Sequence, residues 1–585
     1  MCGIAGIFKT AEILESDVKN LTQMLEIQKH RGPDATGHKI VKNGILGHNR
    51  LSILDLSENA NQPFDYKNIS LAFNGEVYNY LELRSELQLL GYSFETSSDT
   101  EVICAAYLAW GEQCVKRFVG MWAFALWDND QELLFCSRDR FGIKPFYYIE
   151  ENGDFYFASE LKTLRVLPVF KSIPNTKQIA RGLSLGIVGY KDETYYKHVT
   201  QLRSAHNLVW QKGDLKLSRY WDLDKVEVPT NEEEAISKFR EMFNDSLKLH
   251  MRSDVPVGSA LSGGIDSSSI VASIVSNHKD LDYKTFTIFY SGKDAVDERP
   301  FAGQIPKKFP NVVPVYKEPS DTDIERSFKD FLNQIDIPPS SSSFYSQYFV
   351  MKLAAEEKMK VLINGQGSDE YLIGYMHTYY RILADYIRQG KLFSYAKTLY
   401  FHKKEHRISL KEWIRCIVLS CVLSVIDENG FVQLELKRKF RNIEGFDYSG
   451  SSIFLEKKFK NRTDNFLYHL IMTTTLPTLL LFEDRNSMAF GIESRVPFLD
   501  HRLVEYGFSL PVEWRVKNGL TKFVLREACK DVLPSDIYER KDKKGFVTPG
   551  ELRWAKGPLK KYFTMLDSNP ILNWRLNVLK KWNAE

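Results

Sequence analysis

Apolar positions follow two rhythms along the chain, and the change from one to the other divides it. In the first third, short apolar or alternating runs end at turn residues: 3–8, 45–53, 69–73, 122–127, 133–137, 146–149 and 155–158. That period predicts strands with one or both faces buried. Two stretches with helical spacing, 80–90 and 99–110, interrupt them. From about Asn231 the patterns lengthen and become helical, with short apolar strands at 257–261, 285–290, 312–316 and 360–364 between them. Strands alternating with helices predict a parallel, doubly wound α/β sheet.

Beyond Tyr380 almost every pattern is helical and rich in aromatics, which reads as a helical extension of the second unit. The polar stretch 213–231 closes on Val-Pro-Thr-Asn, a turn and helix-cap signal before Glu232. The expected organisation is a first domain over 1–215, a linker over 216–232 and a second domain over 233–585. Apart from the brief run of serines at 340–343, no repeat or low-complexity tract stands out.

Composition narrows the classes. Of 585 residues, 43% are hydrophobic and 26% charged, the balance of a folded globular protein of two to four domains at roughly 150 residues each. The 78 basic and 75 acidic residues leave a net charge of only +3, so no polyanion-binding surface is expected, and no nucleic-acid partner. The most continuous apolar run, 416–426, is far short of the roughly 20 residues that span a bilayer, and it reads as a buried helix. Charged Lys9, Glu12 and Glu15 stand where an export signal would place its apolar core. Seven cysteines without a CxxC suit a reducing cytoplasm better than a disulfide framework, and the Cys416/Cys421 pair reads as packing on an apolar helix.

One cysteine differs by position. Loss of Met1 would leave Cys2 with its thiol beside its own α-amine, whose reference pKa of about 7.7–8.0 suits a local base. By position alone a small buried hydrophobe is the commoner fate of a cysteine. Its company alters that reading. Met1-Cys2-Gly3-Ile4, Arg31-Gly32-Pro33-Asp34, Gly47-His48-Asn49-Arg50-Leu51-Ser52-Ile53, Asn74-Gly75-Glu76-Val77-Tyr78-Asn79, Ser98-Asp99-Thr100-Glu101 and Ser137-Arg138-Asp139-Arg140-Phe141-Gly142-Ile143-Lys144-Pro145 occur in order. Together they resemble the glutaminase domain of class II glutamine amidotransferases over about 200 residues. The resemblance implies a four-layer αββα N-terminal-nucleophile fold, with Cys2 attacking the glutamine amide. It makes the Asn74 side chain and the Gly75 N–H the oxyanion hole, Arg50 the clamp for the α-carboxylate, and Glu76 and Asp99 the holders of the α-ammonium, with Asn74 counted among the glutamine-binding residues as well. Asn49 departs from the basic residue often seen in that segment; Arg50 is present.

The second half carries Val257-Gly258-Ser259-Ala260-Leu261-Ser262-Gly263-Gly264-Ile265-Asp266-Ser267-Ser268, an apolar strand entering a helix through a glycine-rich turn. Backbone amides of such a turn make an anion site. Gly264-Ile265 stands where a P-loop needs Lys-Ser/Thr, which excludes a conventional kinase or GTPase loop. The turn is similar to the pyrophosphate loop of ATP pyrophosphatases. With Thr285-Phe286-Thr287-Ile288, Asn364-Gly365-Gln366-Gly367-Ser368-Asp369-Glu370, Gly491-Ile492-Glu493-Ser494-Arg495-Val496-Pro497-Phe498-Leu499-Asp500 and Lys522, the series resembles glutamine-hydrolysing asparagine synthetases across the whole chain. That resemblance implies ATP bound by Leu261, Ser262, Gly263, Gly264, Asp266, Ser267, Ile288, Asn364, Gly365 and Lys522. It implies Mg²⁺ on Asp266 and Asp369, a choice that suits a hard cation.

The implied reaction is the glutamine- and ATP-dependent amidation of aspartate to asparagine through β-aspartyl-AMP, with ammonia passed inside the molecule. Glutamine, aspartate and ATP are the expected partners, and a homodimer is left open. Two departures bear on the acceptor. Gln366 stands where some members carry a glutamate thought to serve as base, and an amide accepts no proton usefully at neutral pH. Residues 335–344, Ile-Asp-Ile-Pro-Pro-Ser-Ser-Ser-Ser-Phe, lack the Thr and Arg pattern that binds aspartate in better-known members. Both keep a second reading in play, a related amidotransferase for another carboxylate in surface-sugar or natural-product biosynthesis. His402-Lys403-Lys404-Glu405-His406 formally matches an inverted zinc-protease motif, but it reads as a basic helix end.

Overall fold

The computed structural model describes residues 2–291, 297–440, 451–541 and 548–584. The first half packs two antiparallel six-stranded sheets face to face. Strands β1 (Gly3–Phe8), β2 (Ala35–Val41), β3 (Gly44–Arg50), β4 (Phe64–Tyr66), β5 (Ile69–Val77), β6 (Gly120–Asp128), β7 (Leu133–Arg138), β8 (Tyr147–Glu151), β9 (Asp154–Ala158), β10 (Thr200–Gln201), β11 (His206–Gln211) and β12 (Asp214–Arg219) supply them. One sheet has the order β10-β8-β9-β1-β3-β2 and the other β12-β11-β7-β6-β5-β4. Ile4, Phe8 and Leu46 from one sheet interdigitate with Ala123, Trp127 and Leu134 from the other. The opposite faces are covered by helices: Glu15–Ile27 through Leu21, Met24 and Leu25 on the first sheet, and Tyr80–Leu89 and Asp99–Trp110 on the second. These are the four layers, helix, sheet, sheet, helix, that the resemblance implied.

In the first half, strands β1, β3 and β5 to β9 run within a few residues of the apolar patterns, whereas β2, β4, β10, β11 and β12 are not expected from them. Strand β2 (ATGHKIV) alternates half-buried and exposed positions and is nearly all polar on one side, so it carries little apolar signal. Strand β12 lies inside the stretch that reads as the polar approach to the linker, and of its two leucines Leu215 is half-buried and Leu217 exposed; it pairs with β11 and carries the second sheet on to Arg219, past the expected boundary at 215.

The second half is built on β13 (Val257–Ala260), β14 (Tyr283–Ile288), β15 (Val312–Lys317), β16 (Val361–Ile363) and β17 (Glu493–Arg495), all parallel in the order β15-β14-β13-β16-β17. Helix Ile265–Asn277 covers one face, through Ile270, Val271 and Ile274 near Tyr283 and Ile363. Helices Asp321–Ile335 and Ser343–Glu356 cover the other, against Phe286, Ile288 and Leu362. The chain winds outward from β13 in one direction and then jumps to β16, so the loops after β13 and β16 part on either side of a crevice. Such a switch point is where open α/β sheets hold ligands.

Strand β17 is unexpected within the largely helical C-terminal region. Its residues are Glu, Ser and Arg, all buried, so hydropathy is blind to it. The run 416–426 belongs to helix Leu410–Val425, of which only Cys416, Ser420 and Leu423 are buried; Val418 and Val425 face out and Cys421 is exposed, so this is a surface helix. One helical stretch, Arg462–Met488, is 27 residues long and apolar enough to cross a bilayer by length and composition. It lies mostly inside the protein and carries Glu483, Asp484 and Arg485 in buried contacts, as a core helix does.

Candidate active site

Two cavities, one in each half, gather the residues that the sequence singled out. In the first, Gly3 pairs with Asn49 across β1 and β3, which brings Cys2 beside Arg50, and β5 delivers Asn74, Gly75 and Glu76 from the facing sheet. The Cys2 backbone N–H donates to Asn74 Oδ1 at 3.0 Å. This turns Asn74 Nδ2 inward, where it has no hydrogen-bond partner among the described residues. A Cβ at Gly75 would lie 2.1 Å from the Met121 carbonyl oxygen, so only glycine lets β5 run this close to β6. Met1 lies outside the described residues.

The electrostatics of this pocket are those of a dry site. Burial pushes the Cys2 thiol up, against a backbone hydrogen bond from Leu51 and the charge of Arg50. Burial likewise raises Glu76 and pushes Asp99 up to about 7, the latter although Asp99 Oδ2 accepts from Val77 N–H at 2.8 Å. Glu76 Oε2 is buried with no hydrogen-bond partner among the described residues. The Arg50 guanidinium donates to Ser57 O at 2.7 Å, to Asn61 Oδ1 at 2.9 Å and to Asp55 O, so its plane is set by the 54–61 loop. Cys2, Arg50, Gly75, Glu76 and Asp99 line one cavity, with Asn74 behind Cys2.

The second cavity, of about 620 Å³, opens at the switch point. Leu261, Ser262, Gly264, Asp266, Ser267, Ile288, Asn364, Gly365, Gln366, Asp369 and Lys522 all line it. Gly263 does not: its φ of +67° turns the chain, and its carbonyl accepts from Arg540 Nη1 at 3.0 Å. Helix Ile265–Asn277 begins at Gly264 without a side-chain cap, which leaves its first amides facing the turn. Ser262 and Ser267 hydroxyls meet at 3.1 Å and brace that turn.

Lys522 sits between two carboxylates, with Nζ 2.5 Å from Asp266 Oδ2 and 2.6 Å from Asp369 Oδ1, and it donates to Ser368 Oγ at 2.9 Å. Burial works against its charge, but Asp266 and Asp369 outweigh it and hold its pKa above the ordinary lysine value. Two carboxylates close enough to share one ammonium can share one hard cation in the same way, so the donor set fits a divalent metal.

Arg31, Ser494 and Arg495, which the sequence motifs contain without a role, and Glu160, Glu483 and Asp484, which they do not contain, link the two sites. Along β17 successive side chains alternate: Ser494 Oγ donates to Glu483 Oε1 at 2.7 Å on the side of the large cavity, whereas Arg495 Nη2 lies 3.6 Å from Glu76 Oε1 on the other. Helix Thr475–Met488 does the same with neighbours. Glu483 lines the large cavity, and Asp484 accepts from Arg31 Nη1 and Nη2 at 2.8 and 2.9 Å. Arg31 in turn donates to Glu160 at 2.8 Å and, through Nε, to the Cys2 carbonyl at 3.1 Å. A signal was present: Glu483-Asp484-Arg485 interrupts the apolar run 476–482, and charges on an apolar helix imply buried partners.

The residues of the zinc-like motif lie at a helix end, but His402 there is buried rather than exposed. His402 is buried against the Tyr379 ring at 4.1 Å, and His406 Nε2 contacts the Gly519 carbonyl at 2.9 Å. Among the described residues no group of three His, Cys, Asp or Glu side chains is arranged to hold a metal. The serine run lies at the cavity rim, where Ser343 lines the wall and Ser342 meets Thr548 at 3.2 Å.

Comparison with known proteins covers both halves. Residues 1–221 match the model of a glutamine amidotransferase domain, and residues 238–575 match that of asparagine synthase. The chain is 31% identical over 576 residues to asparagine synthetase [glutamine-hydrolyzing] 1 of Bacillus subtilis, covering 96% of this chain and 89% of that protein. It is 30% identical to asparagine synthetase [glutamine-hydrolyzing] 3 of the same organism, covering 92% and 86%. It is also 29% identical to the amidase chyE of Penicillium rubens, covering 93% and 86%. With a glutamine amidotransferase half and a synthetase half matched in order over almost its full length, the chain belongs to the glutamine-hydrolysing asparagine synthetase family.

Proposed function

We propose that the chain converts aspartate to asparagine, with glutamine as nitrogen donor and ATP as activator, releasing glutamate, AMP and pyrophosphate. The observation that carries this reading is the Asp266–Lys522–Asp369 cluster, set beside uncapped helix amides at the switch point of a parallel sheet. That is a site for a nucleotide's phosphates. Leu261 and Ile288 offer apolar strand ends to the base, and the 262–267 turn offers amides and hydroxyls to phosphate oxygens. Mg²⁺ bound by Asp266 and Asp369 would neutralise pyrophosphate as it leaves. Lys522 donates to the same leaving group, and Asn364 orients the nucleotide.

In the first cavity, loss of Met1 makes the Cys2 nitrogen an α-amine, 3.0 Å from Asn74 Oδ1. That amine takes the thiol proton as sulfur attacks the glutamine amide and passes it to the leaving nitrogen, so the C–N bond breaks, ammonia departs and water hydrolyses the remaining thioester to glutamate. Asn74 Nδ2 and the Gly75 N–H receive the oxyanion; Arg50 holds the α-carboxylate, and Glu76 and Asp99 the ammonium. Ammonia then crosses within the molecule, a route favoured by the buried contacts that link the two sites: β17 reaches Glu76 through Arg495 and Glu483 through Ser494, and helix Thr475–Met488 carries both Glu483 and Asp484, the latter holding Arg31 against the Cys2 carbonyl. Enclosure keeps ammonia unprotonated and water away from the adenylate. The free cysteines suit a reducing cytoplasm. The test is AMP and asparagine formation from aspartate, ATP and glutamine by the purified chain. AMP formed with another carboxylate, and not with aspartate, overturns the choice of acceptor.

A further inference from the structure

Gln366 leaves the second cavity without the carboxylate expected at that position, and the structure supplies one from another element. Glu483, on helix Thr475–Met488, is 3% exposed and lines the cavity. Its Oε1 accepts from Asn364 Nδ2 at 2.6 Å and Ser494 Oγ at 2.7 Å; its Oε2 accepts from Gln366 Nε2 at 3.3 Å and from Gln347 Nε2. All four donors are neutral. A structural staple of this helix would be better served by an arginine partner, as Asp484 has in Arg31. Burial raises the Glu483 pKa against the hydrogen bonds from Ser494, Gln366 and Gln347 and the charge of Lys144, so the group is more basic than an ordinary carboxylate. Its position beside Asn364 and Gln366, at the end of β16 and next to the nucleotide turn, is where an activated acyl carbon and incoming ammonia would meet.

We infer that Glu483 accepts the proton when ammonia attacks the acyl-adenylate, in the role that residue 366 cannot fill, with Gln366 and Gln347 orienting it. The inference rests on the reading under Proposed function and deepens it. The ammonia lone pair forms the C–N bond while the carbonyl pair moves to oxygen. One N–H proton passes to Glu483 Oε2 as its contact with Gln366 is exchanged for one with ammonia. The carbonyl then re-forms, the C–O bond to AMP breaks, and the phosphate keeps the bonding pair.

The test uses the full chain with ammonium chloride as nitrogen source and follows aspartate-dependent ATP–pyrophosphate exchange and asparagine formation; a separate assay with glutamine follows glutamate release. Glu483→Gln is expected to keep exchange and glutamate release within about threefold while asparagine formation falls about 10²–10⁴-fold, the range of a lost general base. The double variant Gln366→Glu with Glu483→Gln returns a carboxylate to the same spot and is expected to recover at least about tenfold. Asparagine formation within threefold of the parent overturns the inference. So does exchange lost in parallel with it, or a double variant no better than the single one. Absence of exchange in the parent chain overturns the aspartate reading itself, and this inference with it, before any variant is compared.

Discussion

Asn74 is the residue whose chemistry is most exposed by its surroundings. Its oxygen is used by the Cys2 N–H and its amide nitrogen is buried without a partner among the described residues, an arrangement that costs free energy unless a developing anion uses it. Asn74→Ala is expected to lower glutamine hydrolysis about 10²–10³-fold, the effect of removing one oxyanion donor, measured as glutamate release. Asp99 carries a pH prediction. Its carboxyl is pushed up to about 7 by burial first and by Glu493 in addition, so below that pH it is protonated in the free protein. An ammonium ligand prefers the ionised form. The KM for glutamine should therefore rise as pH falls below about 7, by up to tenfold per pH unit, and level off above it. A KM flat from pH 5.5 to 8 would remove Asp99 from ligand binding.

At the scale of elements, a three-residue strand and one helix carry buried contacts from one site to the other. Arg31, Glu160, Asp484 and Arg485 form a buried network across the halves, with Arg31 and Arg485 fully buried. Burial opposes charge on Arg31, but Asp484 and Glu160 outweigh it and raise its pKa. Arg31→Met removes the cation that Glu160 and Asp484 share, leaving Asp484 with Arg485 and Glu160 with His30 and Lys162, and is expected to cost up to about 3–5 kcal/mol in chemical denaturation. It also frees the Cys2 carbonyl, so glutamate release should fall further than stability alone explains. Elements also separate what is legible from what is not. Strands β1 and β6 are apolar on both faces and stand out along the chain; β17 reads Glu-Ser-Arg and becomes a strand only because Val361, Leu362 and Ile363 offer it a ladder. Helix Leu410–Val425 shows the converse error, an apolar run that reads as core and lies on the surface.

For the whole molecule, the second site is an assembly of distant pieces. Lys522 reaches Asp266 and Asp369 from a left-handed backbone conformation with φ of +54°, after a short hairpin, Val516–Lys517 with Leu520–Thr521. Lys522→Met is expected to lower aspartate-dependent ATP–pyrophosphate exchange at least about 10²-fold, with glutamate release as the check that the fold persists. The sequence by itself determined the two-part architecture and most of the residues that line each cavity, because Gly-rich turns, a lone early cysteine and ordered polar motifs are local patterns that survive without coordinates. It also exposed the missing carboxylate at Gln366. Only the tertiary structure decided what stands in that place: Glu483 is 117 positions away along the chain and makes its 3.3 Å contact through a helix that packs behind β17. A hydrogen bond across that separation depends on how the core closes around both segments, and no local pattern of residues encodes that distance.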